Sequence, residues 1–225
     1  MYVMSVNVRF GGANIAERAG RIARSVKARV PNFESVLFFV QECSASALRA
    51  IRREVWETHV AFARPKYRTH IGPFVATFVP RRGSVVAVSW HRAPHTKMGR
   101  DYHTILLAIG PKEKTETETG TKEKKEEEET EIKEKKETET KEEKEKERKV
   151  VVEVYNVHLD SCKENKSTRK AQVASIARRS SGPFAILGDL NERAKHVSRG
   201  LETLTVATWR VRGTDHKARL YRVTL

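Results

Sequence analysis

The sequence predicts an α/β fold in which two sheets pack face to face with helices on their outer sides. Three observations predict it. Short β-rich runs alternate with amphipathic helical segments in the order strand, helix, strand, helix, a run of strands, helix, strands. The strongest strands are "SVLFFVQE", "KVVVEVYNVHL" and "PFAILGD", and the first and last carry the nearly continuous apolar run of strands covered on both faces. The helical segments carry apolar residues on one face and arginines on the other, so each covers a sheet from outside.

Taken in order, Val3 to Val8 alternates as a strand. "NIAERAGRIARSVKARVP" places Ile15, Ala19, Ile22, Val26 and Val30 on one helical face, and Pro31 closes the helix. "SVLFFVQE" is a buried strand ending at Glu42. "SASALRAIRREVW" is a second helix with Leu48, Ile51 and Val55 inward. Short strands follow at His59–Ala63, Phe74–Val79, Ser84–Trp90 and His103–Ile109. Beyond residue 149 the pattern resumes with "KVVVEVYNVHL", a helix over Thr168–Arg179 and a strand over Phe184–Leu187. A β-rich segment over Leu204–Val211 and a last strand near Ala218–Thr224 complete it.

Residues 111–149 break this pattern. They are almost entirely Lys, Glu and Thr, with a near-total lack of apolar side chains, and are expected to be a disordered insertion into a single domain spanning 1–225. From Lys112 to Lys149 there are 13 basic residues against 16 glutamates, which leaves 31 basic and 13 acidic residues in the other 187, a net of +18. A field of that sign favours polyanionic partners, nucleic acid before anionic lipid. Two cysteines, Cys43 and Cys162, form neither a CxxC pair nor a disulfide framework. The first residues alternate like a strand and lack a signal-peptide pattern, and no apolar run reaches membrane-span length. The expectation is an intracellular protein, nuclear or cytoplasmic, not secreted, and monomeric.

The strand ends carry the chemistry. "SVNVR" ends on Asn7, "FFVQE" on Glu42, "VYNVHLDS" on His158 and "AILGDLN" on Asp189 and Asn191, while "GTDH" puts Asp215 and His216 just before the last strand. Each alone reads as an ordinary strand stop. Five on five β-rich segments suit one task, hydrolysis of a phosphodiester. A divalent cation on hard carboxylate oxygens neutralises phosphate, a base aims water, and His, Asn and Lys offer donors to the phosphoryl oxygens. Zinc is disfavoured because no closed Cys/His set exists. His91 and His95 have HxxxH spacing, but Pro94 disfavours a helix there and they read as loop histidines.

In this order "NVR", "QE", "NVHL", "GDLN" and "TDH" resemble the endonuclease/exonuclease/phosphatase superfamily, from Asn7 to His216 outside the Lys/Glu tract. The resemblance implies a four-layer α/β sandwich and Mg²⁺-dependent hydrolysis, with Mn²⁺ able to substitute. It implies that Glu42, Asn7 and Asp215 serve the metal, with Asp215 also orienting His216. Asp189 would orient or deprotonate the water, Asn191 would hold the phosphate, and His158 and His216 would stabilise the phosphoryl oxygens.

A narrower likeness runs through Met98-Gly99-Arg100, then His158-Leu159-Asp160-Ser161, then a helix bearing Arg169 and Gln172. These are similar to the tyrosyl-DNA phosphodiesterase 2 branch. That implies a DNA or DNA–protein adduct as partner, with Ser161, Arg100, Lys163 and Arg9 on the substrate. Phospholipid or inositol-phosphate hydrolysis, and a nucleic-acid-binding module without activity, are the alternatives. Two departures stand out. Asp215 follows Asp189 by only 26 positions, which shortens the C-terminal half and is expected to remove part of the substrate wall. Arg9 stands two positions after Asn7, where some nuclease branches carry an acidic residue.

Overall fold

The computed structural model describes residues 1–11, 13–64, 72–83, 85–109, 150–191, 196–210 and 216–225. The elements are β1 (Tyr2–Asn7), α1 (Ile15–Arg29), β2 (Leu37–Cys43), α2 (Ala45–Val55), β3 (His59–Ala63), β4 (Phe74–Pro80), β5 (Val85–Arg92) and β6 (Asp101–Ile109). They continue with β7 (Val150–His158), α3 (Lys166–Arg179), β8 (Phe184–Asp189), β9 (Val197–Arg199), β10 (Glu202–Arg210) and β11 (Lys217–Thr224). One sheet has the order β10-β11-β1-β2-β4-β3 and the other β5-β6-β7-β8-β9.

The two-residue period of a strand builds the layers. In β1, Val3 enters the cluster between the sheets while Met4 and Val6 pack outward; in β2, Leu37 and Phe39 point between the sheets and Phe38 and Val40 outward. The outward residues meet Ala19, Ile22 and Val26 of α1 and Leu48, Ile51 and Val55 of α2. In the second sheet Val152, Val154, Ala185 and Leu187 face the first sheet, whereas Tyr155, Val157, Phe184 and Ile186 pack with Ile176 of α3. The result is helix, sheet, sheet, helix. Each fully buried Val, Leu, Ile or Phe contributes about 1.5–3 kcal/mol.

The layer between the sheets is not apolar throughout. Following the inward-facing positions of β1 and β2 toward their C-terminal ends gives Ser5 and Asn7, then Gln41. On β7 they are Asn156 and His158. Gln41 Nε2 donates to Asn156 Oδ1 at 2.8 Å, Asn156 Nδ2 donates to Thr77 Oγ1 at 3.0 Å, and the Thr77 hydroxyl meets His103 Nδ1 at 2.8 Å. These groups are buried and pair with one another, and among the described residues His103 Nε2 is the one atom of the ladder left without a hydrogen-bond partner.

Topology decides which strand ends meet. β1 and β2 are parallel, as are β7 and β8, so all four finish on one edge of the sandwich. β11 runs antiparallel to β1, so its first residue, Lys217, comes to the same edge and brings His216 with it. The predicted order of elements is observed. His91 differs: it lies within β5, where it stacks on Tyr102, and only His95 is in the loop. The shortened stretch after Asp189 still supplies an edge strand to each sheet, β9 against β8 and β10 against β11. β9, three residues long, is too short to leave a periodic signal. The insertion at 111–149 lies outside the described residues.

Candidate active site

Backbone geometry delivers each carboxylate. At the end of β2 the pairing with β4 slips between Val40 and Cys43, and Glu42 takes φ 54°. A bulge of this kind re-aims one side chain, and a non-glycine residue in the left-handed region there is a strained position. Ser44 follows at once and caps α2, its hydroxyl accepting from Ala47 N at 3.1 Å. On β8 the equivalent device is Gly188, at φ 121°, whose added Cβ would stand 2.3 Å from Val157 O. Only glycine lets β8 lie this close to β7 while Asp189 turns toward the first sheet.

Asn7 joins the two acids. Its Nδ2 donates to Glu42 Oε1 at 2.9 Å and to Asp189 Oδ2 at 2.8 Å, while its Oδ1 accepts from Arg9 N at 2.8 Å. Glu42 Oε2 accepts from Phe10 N at 2.8 Å. Asn191, at φ 50°, donates its backbone N–H to Asp189 Oδ1 at 3.0 Å and its Nδ2 to Leu159 O at 2.8 Å. His216 Nδ1 lies 3.3 Å from Asp189 Oδ2. Asp189 is therefore held from three sides.

His158 faces both acids from β7, with Nε2 at 3.7 Å from Glu42 Oε1 and 4.0 Å from Asp189 Oδ2. Its Nδ1 contacts Arg100 Nη1 at 3.2 Å. A guanidinium only donates, so Nδ1 is the acceptor and the proton of the neutral ring sits on Nε2, aimed into the space between the carboxylates. Burial pushes the His158 pKa down to about 4, aided by the Arg100 charge and opposed by Asp189 and Glu42. Asp189 is held below the usual carboxylate range. Burial opposes its ionisation, but His158, the Asn7 amide, His216 and Asn191 N–H together outweigh burial. Near neutral pH His158 is uncharged, and the hydrogen bonds keep Asp189 ionised.

Arg100, 8% exposed, also donates from Nη2 to Ser161 Oγ at 3.2 Å. It thus orients both the histidine and the serine predicted to face substrate. Its loop is anchored by Asp160, which is fully buried: Oδ1 accepts from Thr96 Oγ1 at 2.7 Å and Oδ2 from Lys97 N at 2.8 Å. Gln172 Oε1 and Arg169 Nη1 of α3 bind the Asp160 backbone N and O at 3.2 and 3.1 Å.

The structure thus brings together Asn7, Glu42, His158, Asp189, Asn191 and His216, with Arg100 and Ser161 behind them. Asp215 lies outside the described residues. Arg9 and Lys163 are exposed, and neither side chain enters this hydrogen-bonded set. Asn191, expected on the phosphate, donates one of its two Nδ2 hydrogens to Leu159 O, and its backbone N–H holds Asp189. Asp160, part of the His-Leu-Asp-Ser run, serves as the anchor of the Arg100 loop, and a glycine interrupting an apolar strand is the signal that points to Gly188. Among the described residues no three His, Cys, Asp or Glu side chains form a cluster able to hold a metal ion.

No family model and no curated protein matches the sequence. Solved structures do match its fold. TDP2 from Caenorhabditis elegans superposes with a TM-score of 0.60 at 20% identity over 100% of this chain; this chain spans 63% of that one. D. rerio TDP2, complexed with single strand DNA product, gives 0.60 at 14% identity over 100% of this chain and 83% of its own. An endonuclease/exonuclease/phosphatase from Bacteroides vulgatus gives 0.55 at 12% identity over 99% of this chain and 86% of its own.

Proposed function

From a chain with the DNase I-like α/β sandwich of the endonuclease/exonuclease/phosphatase proteins, we propose a divalent-metal-dependent hydrolase that cleaves phosphodiester bonds of DNA, with a 5′-phosphotyrosyl DNA adduct as the substrate. The observation that carries it is the convergence of Glu42, Asn7, Asp189, His158 and His216, from five strand ends of two sheets, into one hydrogen-bonded edge. No structural requirement of the sandwich places two carboxylates and two imidazoles together. The field of the remaining chain, net +18 outside the Lys/Glu tract, suits a polyanionic substrate. The likeness to a TDP2 complexed with single strand DNA product favours DNA over lipid headgroups.

The donor set fits Mg²⁺ or Mn²⁺. Mg²⁺ takes hard oxygens and commonly uses one or two carboxylates, with water and phosphate completing its shell. Glu42 offers that carboxylate, partly exposed at the site edge, with lone pairs left over from its Asn7 and Phe10 contacts. Bound there, the ion would neutralise charge on the phosphate. Asn7, with Nδ2 turned to both acids, keeps them from repelling each other, and Asp215, next to His216 in the chain, would support the set.

Asp189, ionised and held by Asn7 and Asn191, orients the attacking water. The depressed pKa suits alignment of that water and acceptance of one of its hydrogen bonds. His158 donates its Nε2 proton toward a phosphoryl oxygen without carrying charge, and His216 donates from the opposite side. Donors fixed before the reaction stabilise the growing charge on the phosphoryl oxygens without reorganising. Ser161 and Arg100 then meet the phosphate on the DNA side, with Lys163 and Arg9 as exposed cations beside them.

The test is hydrolysis of a 5′-phosphotyrosyl oligonucleotide with Mg²⁺, run beside plain DNA and a phospholipid. Activity that vanishes in Asp189→Asn and Glu42→Ala supports the reading. Full activity in those variants, or cleavage of the lipid alone, overturns it.

A further inference from the structure

A second basic feature lies outside the site, on the helical layer over the first sheet. A groove of about 620 Å³ runs along α2 beside the first turn of α1, lined by Ala16, Ser46, Arg49, Arg52, Arg53 and Trp56. All three arginines are exposed, and among the described residues none forms an ion pair. Nearby cations behave differently: Arg21 pairs with Glu17 and Arg24 with Glu54. Arg49, Arg52 and Arg53 sit three and four residues apart on one helix, a spacing at which like charges repel. At the end of the groove Trp56 is 61% exposed, an unusually large apolar ring to leave in water.

The groove also has a definite relation to the active-site edge. α1 follows β1 and α2 follows β2, so both helices start at the edge where Asn7 and Glu42 stand. Ser46, at the head of the groove, hydrogen-bonds the cap Ser44 at 3.0 Å, two residues beyond Glu42. From Ser46 to Trp56 the helix rises about 15 Å at 1.5 Å per residue. At roughly 3.4 Å per phosphate along a stacked strand, that length takes about four to five nucleotides.

We infer that the α1–α2 groove binds single-stranded nucleic acid, its arginines tracking the phosphates and Trp56 stacking on a base. A positive groove ending in an aromatic platform is the chemistry of sequence-tolerant single-strand binding. The inference rests on the proposed DNA reading in one respect: the groove would take the strand that continues away from the cleaved bond. Binding itself needs no catalysis, so it is measured separately.

Fluorescence anisotropy of labelled dT3 and dT10 in EDTA tests it. The dT10 oligonucleotide binds at least tenfold more tightly than dT3. Trp56→Ala loses roughly tenfold on dT10 and nothing on dT3, whereas Trp56→Phe retains affinity. Arg49→Gln/Arg53→Gln lowers the slope of log affinity against log salt by about 1.4, two phosphates at roughly 0.7 each. Equal binding of dT3 and dT10, unchanged affinity in the variants, or variants that lose only binding to phosphatidylserine vesicles would overturn the groove. If the phosphotyrosyl oligonucleotide is not hydrolysed while the variants still lose dT10 binding, the proposed activity fails and the groove stands. If it is hydrolysed while the variants bind dT10 normally, the groove fails and the activity stands.

Discussion

Asn7 and Asp189, 182 positions apart in the chain, are joined across the two sheets by a 2.8 Å hydrogen bond that the same Asn7 nitrogen shares with Glu42. A carboxamide is the one small side chain that donates twice while accepting from Arg9 N. Asn7→Asp keeps the shape and replaces the donor with a third carboxylate. We expect an activity loss on the order of 10²-fold or more, since in the proposed reaction Asp189 aligns the water, with a lowered Tm from like-charge repulsion. Steady-state kinetics and calorimetry of Asn7→Asp beside Asn7→Ala check this. If the aspartate variant is no worse than alanine, the amide is not separating the acids.

Arg100 sets the His158 tautomer by donating to Nδ1. Nitrogen-15 NMR of the imidazole should show a proton on Nε2 at pH 7. Burial first, and the Arg100 charge second, hold His158 down to about 4. In Arg100→Gln its pKa should therefore rise, while activity drops as Ser161 loses its partner. A His158 signal carrying its proton on Nδ1 would reverse the assignment.

Buried imidazoles make stability depend on pH: burial lowers the pKa of His59, His103 and His158, the last two furthest. His103 is pushed down to about 3 by burial and by His91, and His158 to about 4, both from an ordinary 6.5. Each folded pKa lies below the unfolded value, so the unfolded chain binds more protons under pH 6.5. The contribution is complete above 6.5 and is lost as pH falls toward 4 and then 3, at up to about 1.4 kcal/mol per pH unit for each proton. Thermal melts at pH 7.0, 6.0, 5.0 and 4.0 should show a steepening fall. His103→Asn should make the curve shallower, and a flat curve in the parent protein would contradict the burial argument.

Gly188 stands where a Cβ would press on Val157 O and lie 3.2 Å from Gln41 Nε2. Gly188→Ala should cost about 2 kcal/mol or more, from φ strain and separation of β7 from β8. It should also reduce kcat by moving Asp189 relative to His158. Urea unfolding with parallel kinetics measures both; an unchanged midpoint would mean the sheet yields more easily than its geometry implies.

Much of this edge is legible in the sequence because period-two alternation is strict. Once Val3, Leu37, Val154 and Leu187 are read as inward, Asn7, His158 and Asp189 must point the same way. Glu42 is the exception. Alternation sends it to the helix side, and only the bulge, which leaves no local pattern, returns it to the site. The inter-sheet ladder of Gln41, Asn156, Thr77 and His103 was equally hidden, because pairing between sheets depends on register that one strand alone does not encode. Asp160 reads as a loop acid; its burial depends on Thr96 and Lys97, more than 60 positions away in the chain.

The β6–β7 ladder holds its register to the last pair, Ile109 opposite Val150, and His158 is eight residues further along β7. At about 3.3 Å per residue the far tip of this hairpin is roughly 26 Å from the chemistry. Replacing residues 110–149 by an Asn-Gly turn, which closes antiparallel neighbours with the twist they already have, is therefore expected to leave the melting temperature and activity unchanged, as calorimetry and kinetics of the shortened chain would check. The same tip accepts a purification handle, a dye or a surface tether at a distance the reacting groups do not sense.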